Sequence, residues 1–177
     1  SKDGLDITQP AIVKMLFLSS RSSGERFPDL VKEMNIVPVA ISYEYDPNDI
    51  NKGREEVIRK THDGDYAKKK YEDLISMTKG MKCQKGRVHL SIGDVLADEY
   101  ADADEAAAAI DRQIHSMYRL WDTNYFAYDC IEGTDRFADK AAGLDKDAFL
   151  ARFAHLAPEV RDFVLNSYAN PVRSALK

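Results

Sequence analysis

The stretch Asn35-Ile36-Val37-Pro38-Val39-Ala40-Ile41-Ser42-Tyr43-Glu44-Tyr45-Asp46-Pro47 decides the fold class of this chain. Ile36 to Ile41 is a short, continuous apolar run rich in β-branched residues, the pattern of a strand buried in an α/β sheet. Pro38 cannot donate to a ladder, so it belongs at a strand's start or edge. The regular strand is therefore expected over Val39 to Tyr43, closed by the turn Asp46-Pro47-Asn48-Asp49. A second strand is predicted over Arg87 to Ile92. There Val88, Leu90 and Ile92 alternate with polar residues and mark a half-buried face.

Helical patterns surround these two strands. Upstream, Thr8 reads as the N-cap of a helix with Pro10 in its first turn, directing Ile12, Val13, Leu16, Phe17 and Leu18 toward a core. A short helix over Pro28 to Met34 follows, with Leu30, Val31 and Met34 on its apolar side. Downstream, residues 49–60 and 66–79 read as charged helices, the second with an apolar side supplied by Tyr71, Leu74, Ile75 and Met77. Asp102 and Glu105 have the spacing of a capping box. The helix they open is expected to reach Leu120, with Ile110, Ile114, Met117 and Tyr118 inside. Further helices are predicted over Thr123 to Ile131, after the cap Asp145, and from Pro158 onward; Pro171 should kink or break the last.

Few, early strands followed by many helices specify an α/β fold with a helix-rich C-terminal layer. Two strands make a poor sheet by themselves, so this is read as a partial α/β core whose sheet partners lie upstream. No internal repeat or low-complexity linker interrupts the chain, and residues 1–177 are read as a single domain.

Composition narrows the function classes. A chain of 177 residues supports one substantial core. A net charge of -5, with no Lys/Arg-rich stripe, gives nucleic acid no footing as a partner. No apolar run approaches the length needed to span a bilayer. Cys83 and Cys130 lack CxxC spacing and are expected to be buried, reduced thiols of a cytosolic protein.

The polar candidates carry little catalytic signal. His62 lies in a His62-Asp63-Gly64-Asp65 turn without the closing Glu of a calcium loop, and is read as solvated. His89 falls on the polar side of its strand, while His115 and His155 are read as packed or surface residues. The acids Asp98, Glu99, Asp102, Asp104 and Glu105 precede a helix and complement its positive N-terminal end. No Gly-x-Ser-x-Gly elbow, Walker loop or dinucleotide glycine fingerprint occurs. Trp121, Tyr125, Phe126 and Tyr128 form an aromatic cluster suited to core packing or to a surface touching membrane or acyl chain.

Several segments taken in order resemble the lysophosphatidate (1-acylglycerol-phosphate) acyltransferase family, in particular a bacterial branch of glycerol acyltransferases. Ile36-Val37-Pro38-Val39-Ala40-Ile41 is similar to that family's fourth, apolar block, and Ser1-Lys2-Asp3-Gly4 to the residues that follow its third. Lys85-Gly86-Arg87-Val88 through Gly93-Asp94 resembles a later strand ending in Gly and an acid, and Thr123-Asn124-Tyr125 to Asp129 a further segment of that branch. The resemblance implies a C-terminal portion of an enzyme that moves a fatty acyl group from acyl-CoA or acyl carrier protein to a glycerolipid hydroxyl. The catalytic His and Asp, and a phosphate-binding Glu-Gly-Arg segment, are then expected in a preceding portion, and the present chain alone is expected to be inactive. It implies substrate contacts at Val37, Pro38 and Val39, which line an apolar wall, and at Lys2, near the acceptor phosphate. No cofactor is implied beyond the acyl thioester. The implied partners are the lipid acceptor and the thioester donor, with peripheral contact at the inner face of the cytoplasmic membrane. The alternative is a free-standing, non-catalytic helical binding domain.

Overall fold

The computed structural model describes residues 3–18, 24, 26–62, 68 and 70–177. It is a mixed α/β architecture of eight α-helices and two strands among the described residues. Helices α1 (Pro10–Leu16) and α2 (Phe27–Met34) precede strand β1 (Val39–Tyr43). Helices α3 (Asp49–Thr61) and α4 (Glu72–Lys82) lead to β2 (Val88–Ile92). Helices α5 (Ala103–Met117), α6 (Asp122–Glu132), α7 (Lys146–Ala151) and α8 (Pro158–Ala175) complete the chain, with a short 3-10 turn at Ala138–Ala141.

The two strands pair with each other in a two-stranded sheet. Flanking bonds from Glu44 N–H to Arg87 O (2.9 Å) and from Gly93 N–H to Pro38 O (2.8 Å) make the pairing antiparallel. That register sets Val39 opposite Ile92 and Ile41 opposite Leu90. Pro38 lies just before β1, where its missing N–H costs no ladder bond and its carbonyl still accepts.

The chain divides into two compact units, residues 1–5, 42–88 and 120–177 in one and residues 6–41 and 89–119 in the other. Each has its own apolar core. In the second unit, Val13, Phe17, Leu30, Val31, Leu96 and Tyr100 pack with Ala103, Ala106, Ala107 and Ala109. The buried alanines give α5 a face of small side chains, and α1 lies in contact with that helix. In the first unit, Phe149, Phe153, Val160, Val164, Leu165 and Tyr168 form the core, with Phe126, Tyr128 and Ile131 against it. There α8 packs on α6 and α3. Gly53 lets α3 come close, since a Cβ at that position would meet Val164 Cγ2 at 2.8 Å.

Several local expectations are corrected. The N-cap of α1 is Gln9, not Thr8, whose N–H is instead accepted by Asp111 Oδ1 at 2.8 Å. On α1 only Val13 is buried, while Ile12 and Leu16 are exposed. Helix α4 begins at Glu72, and the Asp63-Gly64-Asp65 part of the histidine turn lies outside the described residues. Pro171 does not break α8, which runs unbroken to Ala175. Proline frees the carbonyl one turn before it, here that of Ser167. Gly4, at φ +76°, lies so close that a Cβ would stand 2.0 Å from that oxygen. The neighbouring Asp3 carbonyl accepts from Asn170 Nδ2 at 2.7 Å, so the Asp-Gly turn is fixed against the proline-bearing stretch of α8. Cys83 and Cys130 are free thiols, but both are exposed rather than buried.

Candidate functional site

The sheet carries the residues that the sequence singles out. Strand alternation turns Ala40 and Ser42 inward, where both are buried, and Val39 and Ile41 outward. Val88, Leu90 and Ile92 share an outward face on β2 at 50, 57 and 69% exposure, so that strand's apolar side is not the half-buried one expected. His89 and Ser91 take the more sheltered side. Within one unit, Val37, Val39, Ile41, Leu90, Ile92 and Val95 thus leave a group of apolar side chains in water. Of the proposed substrate contacts, Val37 and Val39 belong to this surface, and Pro38 is buried beside it. Lys2 lies outside the described residues.

The spacing His-x4-Asp occurs once, at His89 and Asp94, a match the resemblance leaves unassigned. It does not form a His–Asp pair. The ring Nε2 of His89 lies 2.8 Å from Ser91 Oγ, two residues along the same strand face. The backbone of Asp94 is held by Gln113, whose Oε1 accepts the Asp94 N–H at 2.9 Å and whose Nε2 donates to the Asp94 carbonyl. A Ser–His contact is half of a nucleophile–base arrangement, but none of the hydrogen bonds found among the described residues joins a carboxylate to His89. His62 closes α3 as an exposed C-cap.

Arg87, in the Lys-Gly-Arg segment, is committed to structure. Its guanidinium bonds Glu44 Oε1 at 2.8 Å and Asp122 Oδ1 at 3.1 Å, and stacks 4.8 Å from the Trp121 ring. These bonds hold the Glu44 carboxyl below its usual range. The Thr123 hydroxyl donates to the Glu44 carbonyl at 2.8 Å, which ties the Thr123-Asn124-Tyr125 segment to the end of β1. Asn124 donates to the Tyr168 carbonyl at 2.9 Å and accepts the Trp121 N–H at 2.8 Å. Both residues are buried, so this segment serves packing.

Asp49, the first residue of α3, is the most heavily engaged buried acid. Its Oδ2 accepts from Arg152 Nη2 at 2.7 Å and from the Tyr168 hydroxyl at 2.8 Å. Tyr168 Oη also accepts the Asp46 N–H at 2.9 Å. Arg152 lies over the rings of Tyr45 and Phe153, each 5.0 Å away. Burial pushes the Asp49 carboxyl above the ordinary carboxylate range, against the pull of Arg152. Burial, with the charge of Asp49 adding to it, drives the Tyr168 phenol well above its normal value. Sequence patterning carried no signal for this triad, because Asp49 lies 103 positions from Arg152 and 119 from Tyr168. A cavity of about 220 Å³ lined by Tyr45, Gln84, Asp145, Phe149 and Arg152 borders it.

Among the described residues no group of three or more His, Cys, Asp or Glu is arranged to hold a metal ion. No helix among them is long and apolar enough to cross a membrane. No family model, no curated protein and no solved structure matches this chain.

Proposed function

We propose that this chain is the acyl-facing, non-catalytic portion of a glycerolipid acyltransferase, working in the cytoplasm at the inner face of the cytoplasmic membrane. The observation that carries this reading is the outward apolar surface of Val37, Val39, Ile41, Leu90, Ile92 and Val95, each at least 38% exposed. Water disfavours such a cluster, and contiguous apolar patches mark surfaces that another layer or a ligand covers. A wall of β-branched and leucine side chains suits the hydrocarbon of a fatty acyl group. Val37 and Val39 are the substrate contacts on it, with Pro38 fixing where the strand begins; Lys2 is the proposed contact to the acceptor phosphate.

In the reaction, a His–Asp pair supplied by a preceding portion removes the proton of the acceptor hydroxyl. The oxygen attacks the thioester carbonyl, the carbon–sulfur bond breaks, and the proton passes to the departing thiolate. Cationic side chains hold the acceptor phosphate. His89 is not assigned the base, because its ring is engaged by Ser91 and no acid among the described residues is bonded to it.

The test joins this chain to the polypeptide encoded directly upstream and follows labelled acyl transfer from acyl-CoA to lysophosphatidate. The 177-residue chain alone should be inactive, the joined protein active, and Ile41→Asp in the joined protein strongly impaired. A joined protein that forms no acylated product, or one indifferent to Ile41→Asp, sinks the reading. A second reading, a non-catalytic binding domain, is favoured by the outward apolar side of α4, and inactivity of the joined protein would leave it standing.

A further inference from the structure

Helix α4 reads in sequence as amphipathic, with Leu74, Ile75 and Met77 on its apolar side. In the fold that side is not the one that packs. The helix meets the start of α3 through its small and polar side. Ser76 O accepts from Asn48 Nδ2 at 3.1 Å, and Lys79 Nζ donates to Asn51 Oδ1 at 3.1 Å. Gly80 permits the approach, since a Cβ there would stand 3.3 Å from Asn48 Nδ2. No residue of α4 is buried. Leu74, Ile75, Met77 and Met81 are 59, 53, 64 and 72% exposed, and Tyr71 at the N-cap is 62% exposed. Leu74, Met77 and Met81 stand at i, i+3 and i+7, which sets them on one outward stripe.

The charges around that stripe have one dominant sign. Lys79 and Lys82 occupy the last turn, and Lys85 follows, donating to the carbonyls of Met81 and Cys83 at 3.2 Å each. Lys68 and Lys70 precede the helix, Lys70 lying 5.0 Å from the Tyr71 ring. The acids of the helix, Glu72 and Asp73, are confined to its first turn, and Asp73 pairs with Lys68. This basic collar belongs to a chain whose net charge is -5. More than half of each of these apolar side chains is in water, and the boundary layer of a bilayer can take up such a stripe. Lysines at both ends and an amphipathic ring at one fit the headgroup layer of an anionic bilayer.

We infer that α4 is a membrane-surface helix that docks this chain on anionic lipid. Leu74, Met77 and Met81 enter the acyl boundary, and Lys70 and Lys82, exposed at the two ends of the helix, meet lipid phosphates. The inference does not rest on the acyl-transfer reading, which product formation decides separately.

Flotation of the 177-residue chain with phosphatidylcholine–phosphatidylglycerol vesicles tests it, with pure phosphatidylcholine vesicles as the comparison. Binding should be confined to the mixed vesicles and should weaken as salt rises. Lys82→Gln should weaken it about fivefold. Met77→Ser should cost about tenfold, from one inserted apolar side chain. Far-UV circular dichroism should not change, since these side chains are exposed in the fold. Three outcomes overturn the inference: no flotation of the unmodified chain with the mixed vesicles, flotation indifferent to Met77→Ser, or a solution dimer that Met77→Ser dissociates. The last would make the stripe an interface between copies.

Discussion

Replacing Arg152 with methionine leaves the Asp49 carboxyl, whose side chain is 5% exposed, without the guanidinium bonded to it. Removing one partner of a buried ion pair costs about 3–5 kcal/mol, because the remaining charge is left uncompensated. The lower end applies here. The Arg152 side chain is 31% exposed, so water screens part of the pair, and methionine keeps much of the packing over Tyr45 and Phe153. With a urea dependence of about 2 kcal/mol per molar, a loss of about 3 kcal/mol lowers the unfolding midpoint by about 1.5 M. Fluorescence of Trp121, the single tryptophan, reads this directly. It is 5% exposed and belongs to the same unit as Arg152. Adding Asp49→Asn to Arg152→Met removes the stranded charge and should restore about 2 kcal/mol, so the two substitutions should be far from additive. A midpoint change below about 0.5 M for Arg152→Met, or simple additivity in the double variant, would refute the account of Asp49 as a buried charge dependent on Arg152.

Two further outcomes follow from the same geometry. Gly4→Ala should destabilise the protein by about 2–4 kcal/mol in the same urea assay, from the strained positive φ and from a methyl forced against Ser167 O; an unchanged midpoint would mean the turn is not held on α8. The raised Asp49 carboxyl makes its acid form the better tolerated one in the folded state. Its contribution is therefore full below the unfolded carboxylate range and is lost as pH rises through the higher folded value. The stability of the unmodified chain relative to Asp49→Asn should accordingly fall as pH climbs from the ordinary carboxylate range upward. A relative gain over that window would mean that Arg152 outweighs burial.

Local chemistry was legible in the sequence wherever one segment carries its own instructions. Pro38 set the start of β1 at Val39, because a residue without an N–H cannot enter the ladder. Asp102 caps α5 by accepting from the Asp104 and Glu105 N–H groups, and Asp145 caps α7 through Ala148 N–H, as short-range spacing requires. The shared apolar stripe of Leu74 and Met77 and the alternation of Val88, Leu90 and Ile92 were equally plain. Periodicity, however, states only which side chains lie together, not what covers them. Tertiary structure decided that both of these faces turn to water. It decided that Pro171 is accommodated inside α8, where Gly4 meets the freed Ser167 carbonyl from 163 positions away. It also joined Asp49, Arg152 and Tyr168, and divided the burial between two cores whose segments interleave along the chain. Those outcomes depend on contacts between residues remote in sequence, and a pattern read along one segment contains no record of its distant neighbours.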